Sequence, residues 1–193
     1  MDTIVYLIRH GETDWNLARR IQGHSDVALN EAGLRQARQV AARFRGKTIR
    51  AVYSSDLSRA MQTARQIAEN AGVSVYALDA LRERCYGQWE GLTYEEIRER
   101  FAHQDEAACG IETFEGMQQR AVTTLTGLAA DHPGEEIVVV SHGGFINCFL
   151  HYVTNGEQGT GVTRIDNTAV NVFRYTGQSW EVLQVNDTDH LEK

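Results

Sequence analysis

Apolar residues in this chain fall into short runs and helical stripes that alternate. Ile4-Val5-Tyr6-Leu7-Ile8 is a run of β-branched and aromatic residues, which predicts a buried strand over about 3–8. Leu34, Ala37, Val40, Ala41 and Phe44 then recur at helical spacing, with Asn30 placed to cap the helix and Gly46 to stop it. Ala51-Val52-Tyr53 predicts a short strand, and Leu57, Met61, Ala64 and Ile67 mark the helix after it. A strand follows over 73–78, then helices over 93–102 and 114–130. Pro133, the single proline, lies in the turn signal Asp131-His132-Pro133-Gly134. The run Ile137-Val138-Val139-Val140 predicts another buried strand, and Ile146, Phe149, Leu150 and Val153 line the helix behind it. The segments 169–175 and 180–185 flank Thr176-Gly177-Gln178-Ser179 as a hairpin, and 185–191 reads as a strand exit and exposed tail. Strands alternating with helices imply an α/β fold: a three-layer α/β/α sandwich with a mostly parallel central sheet and an antiparallel edge.

Length and composition agree with that class. The 193 residues suit one domain over 1–193, and the 42% hydrophobic and 23% charged fractions are those of an ordinary globular protein. No apolar stretch approaches the ~20 residues that span a bilayer, and Met1-Asp2-Thr3 lacks a basic signal region, so no membrane partner and a cytoplasmic location are expected. Cys85, Cys109 and Cys148 show no metal-binding spacing and are read as free thiols. A net charge of −7 argues against nucleic acid as a partner. Of the 19 basic residues only Lys47 and Lys193 are lysines. Arginine forks match the paired oxygens of phosphate and carboxylate, although a plain compositional bias gives the same count. Oligomeric state is not readable from the sequence.

Chemistry gathers at the strand ends. Arg9-His10-Gly11 follows the first strand, and Ser141-His142-Gly143-Gly144 follows the run at 137–140. Ser54-Ser55-Asp56 follows the second strand, with Arg59 one helical turn on. In an open parallel sheet those ends share one rim, where ligands bind. The rim thus collects two arginines and two imidazoles, and helix starts at Ser55 and Gly143-Gly144 would add backbone N–H donors. The sum suits a tetrahedral dianion. Three roles are open to the imidazoles. They could be metal ligands, but catalytic zinc needs about three protein ligands and no HxxxH or HExxH spacing exists. They could be ordinary polar residues at strand ends. One could be a nucleophile towards phosphorus, with arginines offsetting the phosphoryl charge. A carboxylic acid would then have to protonate the leaving oxygen. Glu83, in Leu81-Arg82-Glu83-Arg84, is the candidate; a solvated glutamate paired with a neighbouring arginine is the plainer reading of the same residue.

Taken in order, these segments resemble the histidine phosphatase superfamily, in its branch related to cofactor-dependent phosphoglycerate mutase. The resemblance covers nearly the whole chain. It rests on Arg9-His10-Gly11-Glu12-Thr13 with Trp15-Asn16 and Gln22-Gly23; on Ser54-Ser55-Asp56-Leu57 with Arg59-Ala60 and Gln62-Thr63-Ala64; on Leu81-Arg82-Glu83 with Gly87-Gln88-Trp89-Glu90-Gly91; and on Ser141-His142-Gly143-Gly144. The resemblance implies that His10 takes the phosphoryl group as phosphohistidine. Arg9, Arg59 and His142 would bind and polarise that group, and Asn16 would add a hydrogen bond. Glu83 would protonate the leaving alcohol and then help to activate water. Gln22, Gly23 and Gly143 would border the substrate, which is expected to be a small phosphorylated metabolite. No metal and no cofactor are implied. An attacking His10 must be neutral, with its other nitrogen held by a backbone carbonyl.

Acceptor and substrate are less determined. A mutase needs cations for a second phosphate, and the stretch 101–119 holds Asp105, Glu106, Glu112 and Glu115 but no lysine or arginine. An acidic cover is a poor anchor for a second phosphate, and the compact length points the same way, to a phosphomonoester phosphatase rather than a phosphoglycerate mutase. Gly110 to Glu115, with Met117 and Gln119-Arg120 after it, resembles the segment that closes over the site in compact family phosphatases. Phe114, Met117, Trp15, Tyr86 and Trp89 are candidates for an apolar wall, and each could equally be core. A non-catalytic phosphate-binding module on the same fold is the remaining alternative.

Overall fold

Six strands and six helices alternate in the computed structural model, which describes residues 1–191. The strands are β1 (Thr3–Arg9), β2 (Ala51–Ser54), β3 (Val75–Ala77), β4 (Glu136–Ser141), β5 (Val170–Tyr175) and β6 (Trp180–Asp187). The helices are α1 (Asp14–Leu17), α2 (Glu31–Ala42), α3 (Ser58–Ala71), α4 (Tyr94–Phe101), α5 (Phe114–Ala130) and α6 (Gly143–Val153). The sheet order is β3-β2-β4-β1-β5-β6, parallel from β3 to β1 and antiparallel beyond it. The expected architecture, a mostly parallel sheet with an antiparallel edge, is what forms.

Both faces of the sheet are covered, which is why its central strands carry the continuous apolar runs Ile4–Ile8 and Ile137–Val140. Val5 and Leu7 of β1 join Ile137 and Val139 of β4 beneath α5 and α6, where Leu125, Phe145 and Phe149 pack. Ile8, Val138 and Val140 point the other way, against Val40 and Ala41 of α2 and Ala60, Ala64 and Ile67 of α3. Asn30 caps α2 as expected, its Oδ1 accepting from Gly33 N–H at 2.8 Å. Three other expectations change. β3 is only Val75–Ala77, because Gly72 ends α3 in the left-handed region at φ 71° and the chain turns before pairing with β2. Ser55 does not start a helix: its N–H donates to Val140 O at 3.0 Å, extending the sheet, and α3 begins at Ser58. The C-terminal segment is not an exposed tail, since β6 continues to Asp187, whose buried carboxylate pairs with Arg43 at 2.6 Å. Among the described residues no helix is long and apolar enough to cross a membrane, and all three cysteines are free.

Register aligns the rim. Arg9 pairs with Ser141 across β1 and β4, Ser54 pairs with Val140 across β2 and β4, and His10 N–H donates to Ser141 O at 3.0 Å. Three strand ends therefore stop side by side.

Candidate active site

A cleft of about 690 Å³ opens over that rim, lined among others by Arg9, His10, Asn16, Gln22, Gly23, Arg59, Glu83 and Gly143. His142 lies behind it, fully buried, with its ring 5.1 Å from that of His10. All nine sequence-predicted site residues thus come together.

His10 is almost wholly buried, and its Nδ1 lies 2.7 Å from Gly11 O. A carbonyl only accepts, so Nδ1 carries the proton and Nε2 keeps its lone pair, the tautomer an attacking imidazole needs. Burial, followed by the charges of Arg59 and Arg9, holds the His10 pKa well below the ordinary histidine value. Burial, Arg59 and His10 do the same to His142. Both rings are neutral at neutral pH.

The two guanidiniums are fixed by main-chain carbonyls rather than by carboxylates. Arg59, the largest fully buried side chain, donates to Ser25 O and Gly23 O, each at 2.8 Å. Arg9 donates to Ile165 O at 2.7 Å. Burial pulls the Arg59 pKa down to about 10, which leaves it charged at neutral pH. The Nε of each arginine and both ring nitrogens of His142 are buried with no hydrogen-bond partner among the described residues. Buried donors without acceptors are rare and ask for an explanation. A tetrahedral oxyanion supplies one, because it brings acceptors and the charge that two desolvated cations lack.

Glu83 sits at the N-terminus of α6. Its carboxylate accepts from Gly144 N–H at 2.9 Å, Phe145 N–H at 3.0 Å and Arg84 N–H at 2.9 Å. Helix N-termini favour negative charge, so the α6 donors hold this carboxylate at the cleft rather than presenting themselves bare. The pairing of Glu83 with a neighbouring arginine side chain does not form.

Several supporting residues were not foreseen. Glu90 accepts from His24 N–H at 2.8 Å, the Ser25 hydroxyl at 2.7 Å and Tyr86 N–H at 3.1 Å, tying the 83–90 segment to the loop that holds Arg59. A Cβ at Gly23, which has φ 51°, would stand 2.2 Å from Glu90 Oε1, so this approach requires glycine. Arg120 donates to the carbonyls of Ala80, Arg82 and Glu83 while paired with Glu112 at 2.7 Å. Glu90 falls inside a motif visible in the sequence; the Arg120 clamp has no local signal, because the carbonyls it holds lie about 40 residues away.

The expected acidic cover is corrected. No residue of 101–119 lines the cleft. Glu106 pairs with Arg84, Glu112 with Arg120, Phe114 stacks edge-on against His151, and Met117 is core. These carboxylates are consumed by arginines of the neighbouring segment, which draws 105–113 onto the outer side of 82–87. Trp89 also stays off the cleft, whereas Trp15 and Tyr86 line it. The remaining wall includes Arg19, Arg20, Tyr94, Asn147 and Arg164. Among the described residues no group of three or more His, Cys, Asp or Glu side chains is placed to hold a metal ion.

Known proteins resemble this chain along nearly its whole length. Phosphoglycerate mutase-like protein 4 of Arabidopsis thaliana is 40% identical over 98% of this chain and 87% of its own length. The metal-independent phosphoserine phosphatase of the same plant is 38% identical over 98% of this chain and 83% of its own. The solved structure of Bacillus stearothermophilus YhfR superposes with a TM-score of 0.89 at 29% identity, covering 98% of this chain and 100% of that one. The profile of the histidine phosphatase superfamily (branch 1) matches residues 5–188, and the chain belongs to that family.

Proposed function

We propose that this protein is a metal-independent phosphomonoester phosphatase that works on small phosphorylated metabolites through a phosphohistidine at His10. The observation that carries the reading is a neutral imidazole, its Nδ1 tied to Gly11 O, beside two guanidiniums, of the buried Arg59 and the half-buried Arg9, whose buried Nε groups have no protein acceptor among the described residues. His10 Nε2 attacks phosphorus while Arg9, Arg59 and His142 hold the non-bridging oxygens, with Asn16 adding a donor at the edge. The bond to the leaving oxygen breaks and Glu83, which enters this step as the carboxylic acid, gives that oxygen its proton and is left as the carboxylate. Glu83 then takes a proton from water, whose oxygen attacks the phosphohistidine. The N–P bond breaks, inorganic phosphate leaves, and His10 and Glu83 return to their starting states. Gln22, Gly23 and Gly143 border the leaving group. The metal-independent relative named above supports a reaction that needs no ion.

The test is hydrolysis of p-nitrophenyl phosphate with EDTA present, by wild type and His10→Ala. Turnover that survives EDTA and disappears in the variant is expected. Activity abolished by EDTA would return the imidazoles to a metal, and no turnover of any phosphomonoester by wild type would favour a phosphate-binding module.

A second reading, phosphoglycerate mutase, is favoured by one observation. The acidic stretch 101–119 lies off the cleft, and the wall instead carries Arg19, Arg20 and Arg164. Arg20 is engaged by Glu96 and Gly91 O, and Arg164 by Asp166. Arginines there suit a second anionic group. Supplying 3-phosphoglycerate with 2,3-bisphosphoglycerate separates the two: release of inorganic phosphate is expected, and fast isomerisation with little release would overturn the phosphatase reading.

A further inference from the structure

Behind the site, the loop 164–168 holds the main chain of Arg9 and His10. Ile165 O accepts from the Arg9 guanidinium at 2.7 Å. Thr168 N–H is shared between Arg9 O at 3.1 Å and His10 O at 3.3 Å, and Asn167 Nδ2 donates to His10 O at 3.0 Å. This loop is strained. Thr168 is fully buried at φ 57°, a left-handed conformation that a β-branched residue adopts only when its surroundings impose it.

The C-terminal segment imposes it. Asp187 grips Arg43 at 2.6 Å, Arg43 Nη1 faces His190 Nδ1 at 3.4 Å, and His190 Nε2 lies 3.1 Å from Thr168 Oγ1. The Thr168 hydroxyl donates to Asn167 O at 2.7 Å. Every link has a fixed polarity. A guanidinium only donates, so Nδ1 accepts and Nε2 bears the proton; the Thr168 oxygen takes that bond, since its own proton is already spent on a carbonyl. Burial and then Arg43 hold the His190 pKa down to about 4, which keeps the ring in this neutral form. Asn186, also left-handed at φ 53°, secures the other end of the loop by two hydrogen bonds to Asp166, at 2.7 and 3.0 Å.

We propose that His190 is a positioning residue for His10: its Nε2–H, acting through the Thr168 hydroxyl, holds the Asn167–Thr168 turn in the strained form that fixes the main chain of Arg9 and His10. The proposal rests on the phosphohistidine reading above. Without the donor the turn relaxes and the imidazole shifts relative to a bound phosphoryl group. Arg59 is tethered separately, through Gly23 and Ser25, and the Arg9 guanidinium is held by Ile165 O, outside the Asn167–Thr168 turn, so phosphate binding is largely retained.

Full-length wild type, His190→Ala, His190→Phe and His190→Gln are compared for kcat and KM with p-nitrophenyl phosphate, inhibition by inorganic phosphate, and Tm. In the Ala and Phe variants kcat falls about tenfold, the scale of one hydrogen bond used for positioning, while the phosphate inhibition constant stays within about twofold. Glutamine, whose amide N–H can reach the same oxygen, restores most of kcat. A purely structural role would lower Tm and leave kcat per folded molecule unchanged; that result overturns the proposal. So does an equal loss in the Gln variant, or a parallel rise in the phosphate constant. If the Ala and Phe variants fail to fold, Thr168→Val removes the same link at nearly constant shape, and a folded T168V with wild-type kcat is equally fatal. Absence of turnover by wild type defeats the phosphohistidine reading and this role together, whereas normal turnover with unaltered variants defeats only the positioning role.

Discussion

Gly144→Ala separates the Glu83 carboxylate from its anchor while leaving the phosphate-binding residues untouched. A Cβ at position 144 would stand 2.4 Å from Glu83 Oε1, 3.0 Å from its Cδ and 3.3 Å from Oε2. Carbon and oxygen rest comfortably at about 3.4 Å, so the carboxylate must retreat by about 1 Å. It thereby gives up the bonds from Gly144 and Phe145 N–H. The cost to folding is small: the moving group is the end of a flexible side chain, the helix N-terminus opens on the cleft where water can take its donors, and alanine is the better helix former by up to ~1 kcal/mol. Stability should stay within about 1 kcal/mol of wild type. Chemistry is less tolerant, since a misplacement of ~1 Å costs about 10²-fold, the low end of what a general acid contributes. The loss depends on the leaving group. An alkyl alcohol needs the proton, whereas p-nitrophenolate scarcely does. The assay is kcat/KM for an alkyl phosphate and for p-nitrophenyl phosphate, because kcat/KM reports transfer to His10 and not the later hydrolysis. A fall of about 10²-fold for the alkyl ester and of no more than about fivefold for the aryl ester is expected. Equal falls for both esters, or no fall in a folded variant, would refute the assignment of Glu83 as leaving-group acid.

Three other outcomes follow from the same contacts. Arg120→Met removes the guanidinium that lies over the Phe145 ring, strips donors from three carbonyls and leaves Glu112 without its ion pair, so urea unfolding should show a loss of about 3 kcal/mol. Gly33→Ala would ordinarily gain up to ~1 kcal/mol in a helix, but its Cβ would stand 2.1 Å from Glu12 O, a backbone atom that cannot swing aside; a net loss of about 1–3 kcal/mol by the same measurement is expected. Acid should weaken the fold: His10, His142 and His190 have folded pKa values below the ordinary ~6.5, so below that pH the unfolded chain binds protons that the folded one refuses. Their stabilisation is complete above about pH 6.5 and declines as pH falls towards the folded values, and a urea midpoint at pH 5.5 equal to that at pH 7.5 would contradict this.

Local pattern carried most of the scaffold. The run at 137–140 is a strand buried on both faces, and the helix read at 114–130 has the bounds of α5, because period and length are properties of a short window. The rim residues were legible for a related reason: a side chain just past the end of a parallel strand has only one edge on which to emerge. The 101–119 stretch misled because the resemblance at Gly110–Glu115 put its acidic residues over the site. Charge says what a segment can pair with but not which partner is near, and Arg84 and Arg120 were nearer than the cleft.

The sequence by itself therefore determined the layer order of strand and helix and the set of groups offered at the rim: two arginines, two imidazoles, a carboxylate and the glycines beside them. Tertiary structure decided what those groups are. His10 and His142 are neutral because burial and two guanidiniums oppose their protonation, and Arg59 is rigid because two carbonyls of a distant loop receive it. It also decided that Arg19, Arg20 and Arg164 wall the cleft and that His190 sits beneath Thr168 rather than in solvent. Desolvation and hydrogen-bond geometry depend on contacts between segments far apart in the chain, and no local window of residues encodes them.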